Sequence, residues 1–130
     1  MSTPYKPHLR VRTPSQAVIR ELSKAFEVMR NRYNTAGMSY HTTAHPMNDY
    51  QAMQYRFDVQ KHLIISTVGC DTAIYGTVAN VAFRFWHAYI HCLLRQDFSY
   101  KGEHEVIMYQ LTELRELGVS DEALEVFTAD

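Results

Sequence analysis

Two histidines and a glutamate near the middle of the chain have the types and the spacing of a metal site. His87 and His91 are four residues apart in the apolar stretch FRFWHAYIHCLL, and Glu103 follows a polar break. Residues four apart lie on the same side of a helix, so the two imidazoles would face one direction. If the next helix packs back antiparallel across DFSYKG, Glu103 comes beside them. Two histidines and one carboxylate suit Zn, Fe(II) or Mn and leave coordination positions open.

Four further side chains are candidates for additional ligands or for supporting the ligands. His41 and His45 lie in a polar segment, from which either could supply a fourth ligand. Gln110 shares a helix face with Glu103, two turns further along the chain. Arg84 shares a helix face with the two histidines.

Each of these features also has an explanation without a metal. A central helix needs one polar edge, and the stripe from Asn80 to Arg95, which includes both histidines, could simply face water. Glu103 could complement the dipole of the helix that it begins, or form an ion pair with Arg84. Against this, a carboxylate on an apolar helix face is costly unless it is paired or binds an ion.

The length of 130 residues indicates one domain. Residues 1–12 hold two of the four prolines and no hydrophobic period, so we predict an extended arm there and a single helical domain over residues 13–130. Thr13 and Pro14 are predicted to begin helix one, which runs to about Tyr33 with apolar residues three and four apart. The segment NTAGMSYHTTAHP is predicted to be a loop.

The segment after Pro46 has two interpretations. A helix that starts there would carry an apolar face of Tyr50, Met53, Phe57, Gln60 and Ile64. The β-branched run HLIISTV is instead typical of a strand. We predict the helix, because a single strand would have no partner elsewhere in the chain.

The third helix is predicted to cover residues 71–96 and to lie at the centre of the fold, because most of its circumference is apolar. A fourth helix covers residues 103–117 and ends at Gly118, and Ser120 caps a short acidic fifth helix, DEALEVF. The predicted fold class is all-α, with four main helices and a short C-terminal helix. The predicted core residues of the third helix are Ile74, Val78, Val81, Ala82, Phe85, Trp86, Ala88, Tyr89 and Cys92.

Missing features narrow the classes of function. No apolar run is long enough to span a bilayer, and MSTPYKPHLRVR lacks the apolar stretch of a signal peptide, so we expect a cytoplasmic protein outside the membrane. The sequence contains no P-loop and no G-x-G-x-x-G, so no nucleotide cofactor is expected. Cys70 and Cys92 are too few for a disulfide framework.

The charge is divided unevenly along the chain, although the net charge is −1. Residues 1–65 carry nine Lys and Arg against four Asp and Glu, and residues 66–130 carry four against ten. The basic residues are scattered through a helical pattern and form no run. Nucleic acid is therefore not the expected partner.

The residues RFWHAYIH, DFSYKGE and Gln110 resemble a pattern of small uncharacterised helical proteins of bacteriophages, R-x-W-H-D-x-x-H, then D-F-S-x-x-G-E, then a Gln. The resemblance covers about a third of the chain and includes His87, His91 and Glu103. It implies a phage setting, without a settled function. Ala88 stands where the pattern has Asp, so an activity that needs that carboxylate is not implied.

Two functions follow from these features. The first is a small metal-binding helical protein of phage type, either a metal-dependent hydrolase or an accessory factor. The second is a metal-free interaction module that binds or inhibits a host protein, or associates with itself, through aromatic and charged surfaces. Trp86 bears on the choice: we predict it in the core, whereas its exposure in an apolar patch would indicate a partner surface.

Overall fold

The computed structural model describes residues 13–129, which form a mostly helical fold. This part of the chain has five α-helices and one two-stranded parallel sheet. The elements are α1 (Gln16–Thr35), β1 (Ser39–Thr43), α2 (Tyr50–Tyr55), β2 (His62–Ser66), α3 (Gly76–Leu94), α4 (Tyr100–Leu117) and α5 (Asp121–Ala129). The all-α prediction is confirmed in its coarse form and misses the sheet. The predicted arm, residues 1–12, lies outside the described residues.

Helix α1 is capped by Ser15 rather than by Thr13. Ser15 has an extended backbone, and its hydroxyl accepts a hydrogen bond from the Val18 amide at 3.2 Å, as an N-cap residue does. The predicted start is therefore two residues early. The predicted apolar face is correct, and its buried residues are Val18, Leu22, Ala25, Phe26 and Met29.

Two short strands replace parts of the predicted loop and of the predicted second helix. β1 and β2 pair in parallel, with Ser39 opposite His62. Leu63 and Ile65 of β2 are buried, and the residues that alternate with them, His62, Ile64 and Ser66, are half-buried. The prediction of a helix through this run is wrong. Its partner strand is the polar sequence SYHTT, which carries no alternation of apolar residues that would identify a strand.

Helix α2 is much shorter than predicted. Asp49 caps it by accepting a hydrogen bond from the Ala52 amide at 3.0 Å, so the helix does not begin at Pro46. A wider π-helical turn, Arg56–Gln60, continues it. Lys61, with a left-handed backbone at φ 52°, then ends the helical segment and directs the chain into β2.

Helix α3 lies between two apolar clusters, as its apolar circumference predicts. On one side it packs with α1, α4 and α5, and on the other with the sheet. Phe85 and Trp86 are fully buried, one in each cluster, which confirms their predicted place in the core. Cys70 and Cys92 are free and buried.

The first part of the predicted third helix is not helical in the expected way. Cys70–Thr72 form a single 3-10 turn, and α3 itself starts at Gly76. Ile74 and Val78, which were expected in the core, are 53% and 62% exposed. Ile74 precedes the helix, so the helical wheel does not apply to it, and Val78 lies in the first turn of α3.

Helix α4 begins three residues earlier than predicted, because Ser99 caps it by accepting a hydrogen bond from the Gly102 amide at 3.1 Å. Gly118, with φ 89°, ends α4 in the left-handed conformation that favours glycine. The Ser120 hydroxyl accepts from the Ala123 amide at 3.2 Å and caps α5. Both of these ends are as predicted. Within residues 13–129, no helix has the length and apolar composition that a membrane crossing needs.

Candidate metal centre

Helices α3 and α4 bring His87, His91 and Glu103 together. The Oε1 atom of Glu103 lies 3.0 Å from Nε2 of His87 and 3.0 Å from Nε2 of His91. The two Nε2 atoms are 3.2 Å apart. These three form a group of candidate ligand atoms that lie within 4.8 Å of one another. Three potential ligand atoms therefore converge on one point at the start of α4.

His91 is fully buried and is oriented by the backbone at the end of α3. Its Nδ1 lies 2.8 Å from the carbonyl oxygen of Gln96. Arg95 adopts a left-handed backbone, φ 55°, which ends α3 and lets the Gln96 amide donate to the His91 carbonyl at 2.9 Å. Because a carbonyl oxygen only accepts, Nδ1 of His91 carries the proton, and the Nε2 of a neutral ring presents its lone pair.

His87 is oriented by a side chain of α4. Its Nδ1 lies 2.9 Å from Oε1 of Gln110, and its ring stacks on Phe83 with centroids 5.3 Å apart. Gln110 is fully buried, and its Nε2 has no hydrogen-bond partner among the described residues. With the amide in this orientation, Nδ1 of His87 donates to Gln110 and the Nε2 of a neutral ring presents a lone pair to Glu103.

The meeting point of these three atoms favours a cation. When the rings carry a proton on Nε2, the hydrogen bond from His87 and the charges of the imidazoles hold the pKa of Glu103 below its usual value, against the effect of burial, which raises it. If both histidines are neutral, two nitrogen lone pairs face a carboxylate oxygen at hydrogen-bonding distance, and none of the three atoms can donate. The lone pairs and the carboxylate charge then repel one another. A shared proton or a metal ion at this point would attract all three atoms.

The other candidate residues lie at different distances from this group. Gln110 contacts Nδ1 of His87 and so orients the ring, but it is not one of the three candidate ligands. His41 lies in β1, where its Nδ1 is 2.7 Å from Nε2 of His62, and His45 is exposed. Among the described residues, neither belongs to the group of candidate ligands.

Arg84 takes no part in an ion pair with Glu103. Its Nη1 donates to the Ser66 carbonyl at 2.8 Å, which attaches α3 to the end of β2. The polar stripe of α3 does not simply face water either, because His91 is buried and only the Arg95 end is exposed. The Arg84 ion pair and the water-facing stripe therefore do not describe these contacts. The third explanation does hold, because Glu103 lies in the first turn of α4, where a carboxylate complements the helix dipole.

Gly102 was not identified by sequence reasoning, although it controls how α4 approaches the end of α3. A Cβ atom at this position would lie 2.1 Å from the carbonyl oxygen of Asp97. The close approach holds the first turn of α4, including Glu103, against the α3–α4 connection. A glycine in the first turn of a helix is unfavourable by propensity, and this was the available signal.

Glu113 is a second residue that the sequence analysis missed. It is buried, and its carboxylate accepts hydrogen bonds from Nε1 of Trp86 at 2.8 Å and from the Tyr33 hydroxyl. Arg32 forms an ion pair with it at 3.4 Å. These contacts join α1, α3 and α4. Glu113 follows Gln110 by three residues on the inward face of α4, and that spacing was its signal.

Comparisons of the chain with protein-family models, with curated proteins and with solved structures find no match. The resemblance to helical phage proteins therefore stays a prediction. The geometry at His87, His91 and Glu103 is the basis for inferring a function.

Proposed function

We propose that this protein binds one divalent transition-metal ion through Nε2 of His87, Nε2 of His91 and Oε1 of Glu103, and that it is a metal-dependent enzyme. The contact of His91 Nδ1 with the Gln96 carbonyl is the observation that supports this proposal most strongly. It directs the Nε2 lone pair of a fully buried ring toward the carboxylate of Glu103. Two imidazole nitrogens and one carboxylate oxygen that meet at one point form a ligand set suited to a divalent transition-metal ion.

The hydrogen bonds that orient the two histidine rings are of the kind found at metal-binding histidines. A ligating histidine usually donates its other ring N–H to a carbonyl or carboxylate, which fixes the tautomer and the direction of the lone pair. His91 has the Gln96 carbonyl in this role, and His87 has the Gln110 amide oxygen. Both rings are thus prepared for ligation through the same atom, Nε2.

The separations of the ligand atoms bear on which ion fits. Ligand atoms at right angles around an ion, with bonds of about 2.1 Å, are about 3.0 Å apart, whereas tetrahedral ligands are about 3.4 Å apart. The observed separations of 3.0, 3.0 and 3.2 Å lie between these values and are compatible with either arrangement. Zn, Fe(II) and Mn are therefore all candidates for this ligand set.

Three protein ligands leave positions for water or substrate, and such an ion acts as a Lewis acid and lowers the pKa of a bound water. This chemistry suits hydrolysis, the reaction class that we propose first. Ala88 and both histidines line a cavity whose lining, among the described residues, includes no carboxylate. The metal-bound water would therefore have no side-chain base on that wall.

Metal binding can be tested with two matched carboxylates of α4. Glu103 and Glu105 are two residues apart, but only Glu103 faces the histidines, and Glu105 is exposed. Chelator-treated protein should bind one equivalent of Zn²⁺ or Mn²⁺ by calorimetry, and EDTA should lower the melting temperature of the loaded protein. Glu105→Gln should keep the wild-type affinity, whereas Glu103→Gln should lose at least about tenfold. Equal affinities for the two variants, or no binding to wild type, would refute the proposal.

The alternative, a metal-free interaction module, is supported by exposed apolar side chains of α4. Tyr100 is 91% exposed, and Met108 and Tyr109 of the same helix are also exposed. Such apolar exposure is a feature of some partner surfaces. Light scattering of wild type and of Met108→Glu would test self-association through Met108 and the neighbouring Tyr109. The phage setting and a host partner stay predictions.

A further inference from the structure

A cavity of about 210 Å³ adjoins the candidate metal centre. It lies between α3, β2 and the segment that leads into α2, and His87 and His91 form part of its wall. Its apolar lining includes Met47, Met53 and Phe98. The cavity is therefore a half-open, largely apolar space with two imidazoles on one side.

Arg84 is the cationic side chain of this lining. Its guanidinium uses Nη1 to donate to the Ser66 carbonyl, which fixes the side chain at the end of β2. Among residues 13–129, no carboxylate forms an ion pair with Arg84. The guanidinium has five N–H donors, so most of its donor capacity is left for a ligand.

We propose that this cavity binds a small organic carboxylate, with its carboxyl group on Arg84 and its apolar body between Met47, Met53 and Phe98. The planar guanidinium matches a carboxylate with two parallel hydrogen bonds. One cation balances one negative charge. Apart from Arg84, Ser66 and the two imidazoles the lining is apolar, and it includes no second Lys or Arg for a more highly charged phosphate. Charge and surface therefore both select a monoanion with an apolar chain.

The position of Arg84 relates this ligand to the metal centre. Arg84 precedes His87 by three residues on α3, which is about 4.5 Å along the helix axis. A carboxylate held by Arg84 places the next few atoms of its chain beside His87 and His91. A role of this ligand as a substrate rests on the proposed metal function. Its binding to Arg84 is independent of that function.

Hexanoate is a suitable probe, with hexanamide as its neutral counterpart. The methyl groups of methionine provide a local readout by NMR, because Met47 and Met53 line the cavity and Met29 is buried in the other cluster. Hexanoate should shift the Met47 and Met53 resonances to saturation and leave Met29 unchanged. Hexanamide should bind at least about tenfold more weakly, since it lacks the charge-assisted hydrogen bonds.

Two variants test the site by different routes. Arg84→Gln removes the charge and the guanidinium, so hexanoate affinity should fall at least about tenfold. Ala88→Leu fills part of the cavity and should block hexanoate while Arg84 is intact. Equal binding of hexanoate and hexanamide, or unchanged affinity in both variants, would overturn the proposal.

The same titration in protein with and without Zn²⁺ separates this inference from the metal proposal. Arg84-dependent binding of hexanoate to a protein that binds no Zn²⁺ would support the carboxylate site and refute the metal centre. Zn²⁺ binding without any hexanoate-induced shift would support the metal centre and refute the carboxylate site. Hexanoate binding that requires Zn²⁺ and ignores Arg84→Gln would place the carboxylate on the metal and overturn the assignment to Arg84.

Discussion

The Nδ1 atom of His91 lies 2.8 Å from the carbonyl oxygen of Gln96, five residues later in the chain. This contact exists because Arg95 ends α3 in a left-handed conformation and turns the next carbonyl back toward the helix. A backbone group thereby sets the tautomer of a buried side chain. The chemistry that we infer for His91, and for the site as a whole, depends on this relationship.

Gln110→Leu should weaken metal binding while changing the free energy of unfolding only slightly. The substitution removes the acceptor of the His87 Nδ1–H, and loss of such a support typically lowers metal affinity about 10–100-fold. It also removes a buried Nε2 that has no partner in the described part of the chain, so the free energy of unfolding should not fall greatly. Calorimetry with Zn²⁺ and denaturant titration measure the two effects. Thr112→Ala, an exposed position on α4, is the control, and equal Zn²⁺ affinities would contradict the role of Gln110.

Gly102→Ala should disturb the start of α4, despite the better helix propensity of alanine. The new methyl group would overlap the Asp97 carbonyl oxygen, so the first turn of α4 must move and carry Glu103 with it. We expect both a lower melting temperature and weaker Zn²⁺ binding. Lys101→Ala, at the exposed neighbouring residue, should change neither. A Gly102→Ala protein with wild-type stability and affinity would show that the close approach is unimportant.

Trp86→Ala should destabilise the fold by about 3–5 kcal/mol, because Trp86 is fully buried and large-to-small core changes have costs of this size. The change also leaves Oε1 of the buried Glu113 without the indole donor. Tyr100→Ala, at a residue that is 91% exposed, should change stability by less than about 0.5 kcal/mol. Urea unfolding of the two variants provides the comparison. Similar stability losses would be inconsistent with the described core.

The stability of the protein should fall as the pH rises above about 8.5, where an ordinary cysteine ionises. Burial, and secondarily the charge of Asp58, raise the pKa of the Cys92 thiol to about 12. Between these two values the unfolded chain loses a proton that the folded protein keeps, so increasing pH favours unfolding. Denaturant titrations at pH 8 to 10 in wild type and Cys92→Ala test this. The variant should lose this part of the slope, and an unchanged slope would assign it to another group.

Much of the helical framework could be predicted because its signals are local. The signals are the three- and four-residue spacing in α1, the apolar circumference of α3, Gly118 at the end of α4 and the cap Ser120 at the start of α5. Each depends on neighbours in sequence. The proximity of His87 and His91 to Glu103 also followed from local rules, since a short connection makes α3 and α4 antiparallel. The candidate site was therefore within reach of the sequence.

The sheet was not predictable in the same way. β2 has a strand-like sequence, but its assignment depends on β1, whose residues SYHTT are polar and mostly exposed. The pairing joins segments more than twenty residues apart, and no spacing rule links them. The support of His91 was hidden for another reason: every residue has a carbonyl group, and only the turn at Arg95 selects that of Gln96.

The most direct test of the metal centre is a long-range ¹H–¹⁵N NMR spectrum of the histidine rings, recorded on chelator-treated protein before and after one equivalent of Zn²⁺. Of the seven histidines, only His87 and His91 should change, with Nε2 shifting to the position of a metal-bound nitrogen and Nδ1 keeping its proton. We expect this pattern for both rings. Unchanged rings at saturating Zn²⁺, or a metal-bound Nδ1 in either of them, would contradict it.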